Sequence, residues 1–272
     1  PQAINIGATF NKTVATLAGK MASRDTRAAG INWLFSPLLG ISLSSSWSRV
    51  YETFGEDPKL VGDMGLAMIQ GIQEQDTGGG VPAQAAACAK HFIGYSMPHN
   101  GHDRTPSWIP NRHLYQYFVP PWREALREAK TVMEAYTDFD GVPNVANFQT
   151  LEILLRERLE FNGVVVTDYQ EILNLKNWHH IVDSNEGAII YALQEGSIDM
   201  SMIPWDADEY REAIQKGINE KTLNVARIDQ SVQRVLLLKQ GLGMEEETLT
   251  MNDPNIAKIG SENDRKQALD MA

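Results

Sequence analysis

The chain has 272 residues, 43% of them hydrophobic and 22% charged, with 21 Gly and 12 Pro, a balance that argues against disorder, collagen-like repeats and low complexity. Lys plus Arg number 24 against 35 Asp plus Glu, a formal charge of -11 that repels phosphate backbones and anionic lipid headgroups, so nucleic acid is not an expected partner. No apolar run approaches the roughly 20 residues needed to span a bilayer. Cys88 is the single cysteine, which excludes an intramolecular disulfide and the usual Cys-based zinc sites.

By length, two average domains or one α/β barrel of about 250 residues fit equally. Pro1 opens without a basic stretch followed by an apolar one, so the sequence is expected to start after any targeting segment. Asn11-Lys12-Thr13 is a glycosylation acceptor in a secreted chain, and also the kind of triplet that arises by chance.

Short β-branched or aromatic runs at 31–35, 87–93, 131–136, 164–167 and 198–202 alternate with helical periods, the order that builds a parallel sheet covered by helices. Leu151, Leu154, Leu155 and Leu159 mark one helix face, which Asn162-Gly163 is expected to end with a left-handed residue. Ile228, Val232, Val235 and Leu236 predict a late helix, stopped by Gly241 and Gly243, that closes a domain over 1–244. From Glu245 the composition turns polar, so 245–272 reads as a linker. Its end, 262–272, has helical propensity but little apolar face, and is expected to be solvated or to pack on something outside the sequence.

In a parallel barrel, chemistry gathers where strands end, because the βα loops converge there over a filled core. This selects Lys90 and His91, then Tyr136 and Asp138, then Asp168 and Tyr169, and also Asp199. Asp168 ends an apolar strand, so its carboxylate is desolvated unless a pocket or cation receives it; capping the next helix is an equal reading. Lys90-His91 is either a surface pair or a grip on substrate hydroxyls. Arg49 is either part of such a site or a partner for Glu52 or Glu56. The loop at 94–110 carries Gly101-His102-Asp103-Arg104 and is long enough to suggest function, though an ordinary surface loop fits too. His99, His102, His179 and His180 lack carboxylates at ligand spacing, so neither metal nor cofactor is expected. Gly78-Gly79-Gly80 has no Lys-Ser/Thr after it and reads as a flexible turn rather than a phosphate loop.

Several motifs occur in one order: Gly7-Ala8-Thr9, Phe35-Ser36-Pro37, Trp47-Ser48-Arg49, Glu52-Thr53-Phe54-Gly55-Glu56-Asp57-Pro58, Ala89-Lys90-His91-Phe92, Gly101-His102-Asp103-Arg104, Val132-Met133 with Tyr136, Gly141-Val142-Pro143, and Gly163-Val164-Val165-Val166-Thr167-Asp168. Together they resemble the N-terminal barrel domain of glycoside hydrolase family 3, in particular its β-glucosidases of lysosomal or secreted type. The resemblance implies a (β/α)8 TIM-like barrel, incomplete at its N-terminal end in this chain, and a retaining exo-β-glycosidase acting on terminal non-reducing β-D-glucosyl residues. Asp168 is then the nucleophile. Arg49, Lys90 and His91 bind sugar hydroxyls, Tyr136 lies against the nucleophile, and Tyr169 stands where many members have Trp. His102 replaces a more usual Arg, and Asp103 is a further candidate contact, with His102-Asp103 faintly similar to an acid/base pair of a few members. In most members the acid/base carboxylate comes from a second α/β domain, so the full-length protein is expected to be needed for activity. The other function weighed is a non-catalytic barrel that binds glycans or scaffolds an assembly.

Overall fold

The computed structural model describes residues 1–74, 85–204, 206–245 and 253–271. The expected glycine turn at 78–80 lies outside them, as does part of the expected linker.

Helices α1 (Ala3–Ala8) and α2 (Lys12–Ala28) precede strand β1 (Trp33–Leu34), followed by α3 (Pro58–Gln73) and β2 (Ala86–Phe92). Asp57 starts α3 by accepting the Leu60 N–H at 2.7 Å, with Pro58 in the first turn where a missing N–H costs nothing. Next come the short α4 (Asn111–His113), a π-helical stretch Leu114–Phe118, and α5 (Val119–Ala125), which lead into β3 (Thr131–Glu134). A small antiparallel pair, β4 (Asp138–Phe139) and β5 (Val142–Pro143), sits on the loop after β3. Strand β6 (Val164–Val166) is followed by α6 (Glu171–Asn177), α7 (Asn185–Glu195), α8 (Ala207–Asn219), α9 (Val225–Gly241) and α10 (Glu262–Asp270).

The wall runs β1-β2-β3-β6, every pairing parallel, and Val166 bridges Met200 in parallel on its far side. Parallel strands need helical crossovers, and these cover the outer face. The fold is α/β of the (β/α)8 TIM-like class. Strands β3 and β6 are buried throughout, as expected of strands covered on both sides. Helices α2 and α3 pack closely: a Cβ on Gly19 would stand 2.4 Å from the Met68 carbonyl oxygen, and one on Gly71 would stand 2.1 Å from that of Thr16. Only glycine permits this approach.

Four expectations need correction. The run 198–202 forms a single bridge at Met200 rather than a strand, because Asp199 turns inward. That carboxylate is fully buried and accepts from Arg156 at 2.5 Å, Arg234 at 2.9 Å, Ser231 at 2.7 Å and the Val165 N–H at 2.9 Å. Asp199 is therefore a structural hub that ties α9 to β6. The leucine helix forms as a π-helix, Gln149–Arg158, and the left-handed residue after it is Glu160, not Asn162 or Gly163. Gly163 is required for space instead, since a Cβ there would lie 2.3 Å from the Lys130 carbonyl oxygen. Helix α9 forms, but Val232 and Leu236 remain 50% and 53% exposed, because its buried side is anchored through Ser231, Arg227 and Arg234. Finally, α10 docks on α2: Arg24 donates to both oxygens of the buried Asp264, at 3.1 and 2.7 Å. The segment uses one ion pair where an apolar face is absent.

Candidate active site

The C-terminal ends of β2, β3 and β6 bring together Lys90 and His91, Glu134 and Tyr136, and Asp168. This is the rim where βα loops build sites. The Lys90–His91 and Phe92–Ile93 peptide bonds are cis, and the β2–β3 register shifts between Ala89 and Phe92.

Asp168 is buried, at 8% exposure. Its Oδ1 accepts the Tyr169 N–H at 2.7 Å, and among the described residues Oδ2 finds no hydrogen-bond partner. Oδ2 lies 3.4 Å from His91 Nε2. The side chain does not cap α6, whose N-cap is Gln170. Burial pushes the Asp168 carboxyl above its ordinary value. The Tyr169 N–H and the charges of Arg49, Lys90 and Arg104 all pull the other way without overcoming it. The cations expected beside this carboxylate are present, yet desolvation remains the larger effect.

Arg49 precedes a 3-10 turn, Val50–Glu52, and donates through Nε and Nη2 to the two oxygens of Glu52, at 2.6 and 2.8 Å. Its Nη1 also reaches His91 Nε2 at 3.5 Å. The partner reading of Arg49 holds, since Glu52 fixes the guanidinium, and its remaining arm faces His91. His91 is buried edge-on against Tyr95, with ring centroids 4.9 Å apart. Burial, then Arg49 and Lys90, hold its pKa well below the usual histidine range, so the ring is neutral. Burial and then Arg49 lower Lys90.

Tyr136 donates its hydroxyl to the Tyr169 carbonyl oxygen at 2.7 Å, which locks the turn carrying Asp168. Tyr169 itself is 46% exposed. Asp103 is held from below by Trp47 Nε1 at 3.0 Å and lies 3.8 Å from Arg104. A cleft of about 310 Å³ next to this rim is lined by Phe35, Tyr51, Glu52 and Lys90 among others; Asp168 is not part of its lining.

Three participants are not among the residues that the sequence selects at strand ends. Arg104 has a left-handed φ of 64°, and its guanidinium stacks 4.0 Å over the Tyr136 ring. It provides a cation in the loop that also carries His102. Glu134 accepts the Asp168 N–H at 3.0 Å, and Glu171 is buried at the start of α6. An acid inside the run Thr131-Val132-Met133-Glu134-Ala135 is the one signal the sequence holds for Glu134. Asp138, also at a strand end, accepts the Gly141 N–H in the β4–β5 turn. Among the described residues no three His, Cys, Asp or Glu side chains gather as a metal site, and no helix is long and apolar enough to cross a membrane.

A parallel α/β barrel wall with its polar groups converging at the strand ends defines the class of barrel domains that place their chemistry on that rim. The chain belongs to glycosyl hydrolase family 3: residues 1–238 match the model of the family's N-terminal domain. It is 42% identical over 276 residues to the lysosomal beta glucosidase of Dictyostelium discoideum, covering 98% of this chain and 33% of that protein. It is 30% identical to a beta-xylosidase of Formosa agariphila, covering 100% of this chain and 38% of that one. Among solved structures, the beta-glucosidase from Listeria innocua in complex with glucose superposes with a TM-score of 0.91 at 27% identity, covering all of this chain and 37% of the other. The chain thus spans about a third of the length of the relatives it matches.

Proposed function

We propose that this chain carries the nucleophile and sugar-binding half of a retaining exo-β-glycosidase that removes terminal non-reducing β-D-glucosyl residues. The observation that carries the reading is Asp168: a buried carboxylate at a strand end, one oxygen held by a backbone N–H and the other without a hydrogen bond. In the double displacement, Oδ2 attacks the anomeric carbon as the glycosidic bond breaks, and water later releases the sugar from the resulting ester. Lys90, His91 and Arg49 bind sugar hydroxyls, contacts that favour the flattened ring of the transition state over the ground state. Tyr169 supports the apolar sugar face, and Asp103 with Arg104 borders the outer side.

The acid/base carboxyl, which must come within about 5–5.5 Å of the nucleophile, is assigned to a second α/β domain of the same protein. In this reading 1–244 is the barrel domain and 245–272 leads onward from it. The names of the relatives support β-glucosidase over β-xylosidase through the more similar of the two, and that relative and a periplasmic beta-glucosidase of Salmonella typhimurium favour a lysosomal or extracellular setting. The test is the stereochemistry of the first product. Full-length protein acting on an aryl β-glucoside should release β-glucose first by NMR, before mutarotation; α-glucose first overturns the double displacement.

A further inference from the structure

Glu134 ends β3 with its side chain fully buried, and Glu171 opens α6 in the same condition. Glu134 Oε1 accepts the Asp168 backbone N–H at 3.0 Å, while Oε2 has no hydrogen-bond partner. Glu171 Oε2 accepts from Asn174 at 2.8 Å, and its Oε1 stands 3.7 Å from His179 Nε2 without a hydrogen bond. Among the described residues neither carboxyl forms an ion pair with a lysine or arginine. The cations of the site, Arg49, Lys90 and Arg104, act on Asp168.

A buried carboxylate without a cation is strongly disfavoured, so such a group takes up a proton instead. The charge of Glu171 acts on Glu134 in the same direction, because ionising one acid opposes ionising the other. Burial first, then Glu171, drives the Glu134 carboxyl well above its ordinary value. A neutral acid behind the nucleophile keeps a carbonyl acceptor for the Asp168 N–H without placing a second negative charge against the attacking carboxylate.

We propose that Glu134 is a positioning residue for Asp168 that works as a neutral carboxylic acid, its carbonyl oxygen holding the backbone N–H at the point where β6 turns toward α6. Through that bond it fixes the direction in which the Asp168 side chain projects. The proposal rests on the reading of Asp168 as nucleophile, and goes beyond it by assigning a role to a group that touches no sugar. Near-attack geometry is sensitive to such anchoring, since a displacement of about 1 Å costs on the order of 100-fold in rate.

The test uses full-length protein and a 2,4-dinitrophenyl 2-deoxy-2-fluoro-β-glucoside. Attack forms the Asp168 Oδ–C1 bond and expels dinitrophenolate, a leaving group that needs no proton, so the inactivation rate reads the nucleophile alone. Glu134→Gln, neutral and with the same acceptor, should retain the rate constant within about threefold. Glu134→Met, similar in size but with no acceptor, should lower it about 10- to 100-fold, with the half-saturating concentration changed less than about threefold. Wild-type rates in folded Glu134→Met, or a Glu134→Gln rate as low as that of Glu134→Met, overturn the proposal. If Glu134→Met does not fold, isotope-edited infrared difference spectra of wild type against Glu134→Gln decide: a protonated carboxyl band at neutral pH, lost in the variant, is expected, and an ionised carboxylate band in its place contradicts it. Peptide mapping separates the two readings. Label away from Asp168 overturns the nucleophile assignment and this proposal with it, whereas label on Asp168 at an undiminished rate in Glu134→Met overturns this proposal alone.

Discussion

His91 Nε2 stands 3.4 Å from Asp168 Oδ2, and the same nitrogen stands 3.5 Å from Arg49 Nη1. Because the ring is neutral, the contact with Asp168 is not an ion pair. It is an orienting contact between the carboxylate and a ring wedged against Tyr95. His91→Ala should reduce kcat/KM about 10- to 100-fold by removing both that orientation and the proposed sugar contact. Activity within twofold of wild type would remove His91 from the site.

Lys90 is one of the charges that pull the Asp168 carboxyl down against its burial. Lys90→Met removes that pull, so the Asp168 pKa rises and the nucleophile is ionised only at higher pH. The acid limb of inactivation by the fluoro donor should already lie above the ordinary carboxylate range in wild type, and should move further toward neutral pH in the variant. An acid limb that stays put or moves down contradicts the electrostatic account of this rim.

Glu171 gives a prediction about stability. Burial pushes its carboxyl up to about 7, against about 4.3 in an unfolded chain. Between those values the native state binds more protons than the unfolded state, so stability is full below about pH 4 and declines as pH rises through about 7. Glu171→Gln cannot ionise. It should melt close to wild type at pH 4.5 and roughly 5–8 °C above it at pH 8. Equal melting temperatures at both pH values would show that Glu171 is not a buried acid in solution.

Asp199 forms ion pairs with Arg156, Arg227 and Arg234, at 2.5, 3.6 and 2.9 Å. Burial lowers the Arg156 pKa to about 10 even with this partner present. Asp199→Asn leaves those cations uncompensated, a change that typically costs about 3–5 kcal/mol. Thermal denaturation should show a clear loss of stability, whereas a melting temperature within about 1 °C of wild type would contradict the assignment of Asp199 as the hub.

The rim residues that were legible in the sequence were those whose strand position alone decides their place. Lys90, His91, Tyr136 and Asp168 each follow an apolar run, and the end of such a run in a parallel wall has only one outlet. Residues whose role depends on distant partners were not legible. Asp199 sits inside the run 198–202 rather than at its end, and meets three arginines from a π-helix and α9, so it turns inward. The docking of α10 rests on one pair, Arg24 and Asp264, 240 residues apart and invisible to any local period. Glu134 was visible as an acid among apolar neighbours, but its meaning comes from the Asp168 N–H and from Glu171, which only the packing of β3 against β6 and α6 brings together. Arg104 lay inside a quoted motif, yet only the left-handed turn at its own residue lays its guanidinium over Tyr136.

The most direct measurement of the central claim is the site of covalent labelling. Full-length protein inactivated by a 2-deoxy-2-fluoro-β-glucosyl donor, digested and sequenced by mass spectrometry, should carry one fluoroglucosyl group on the peptide containing Asp168, and Asp168→Asn should take up none while keeping its fold. A fluoroglucosyl group on any peptide lacking Asp168 would contradict the account.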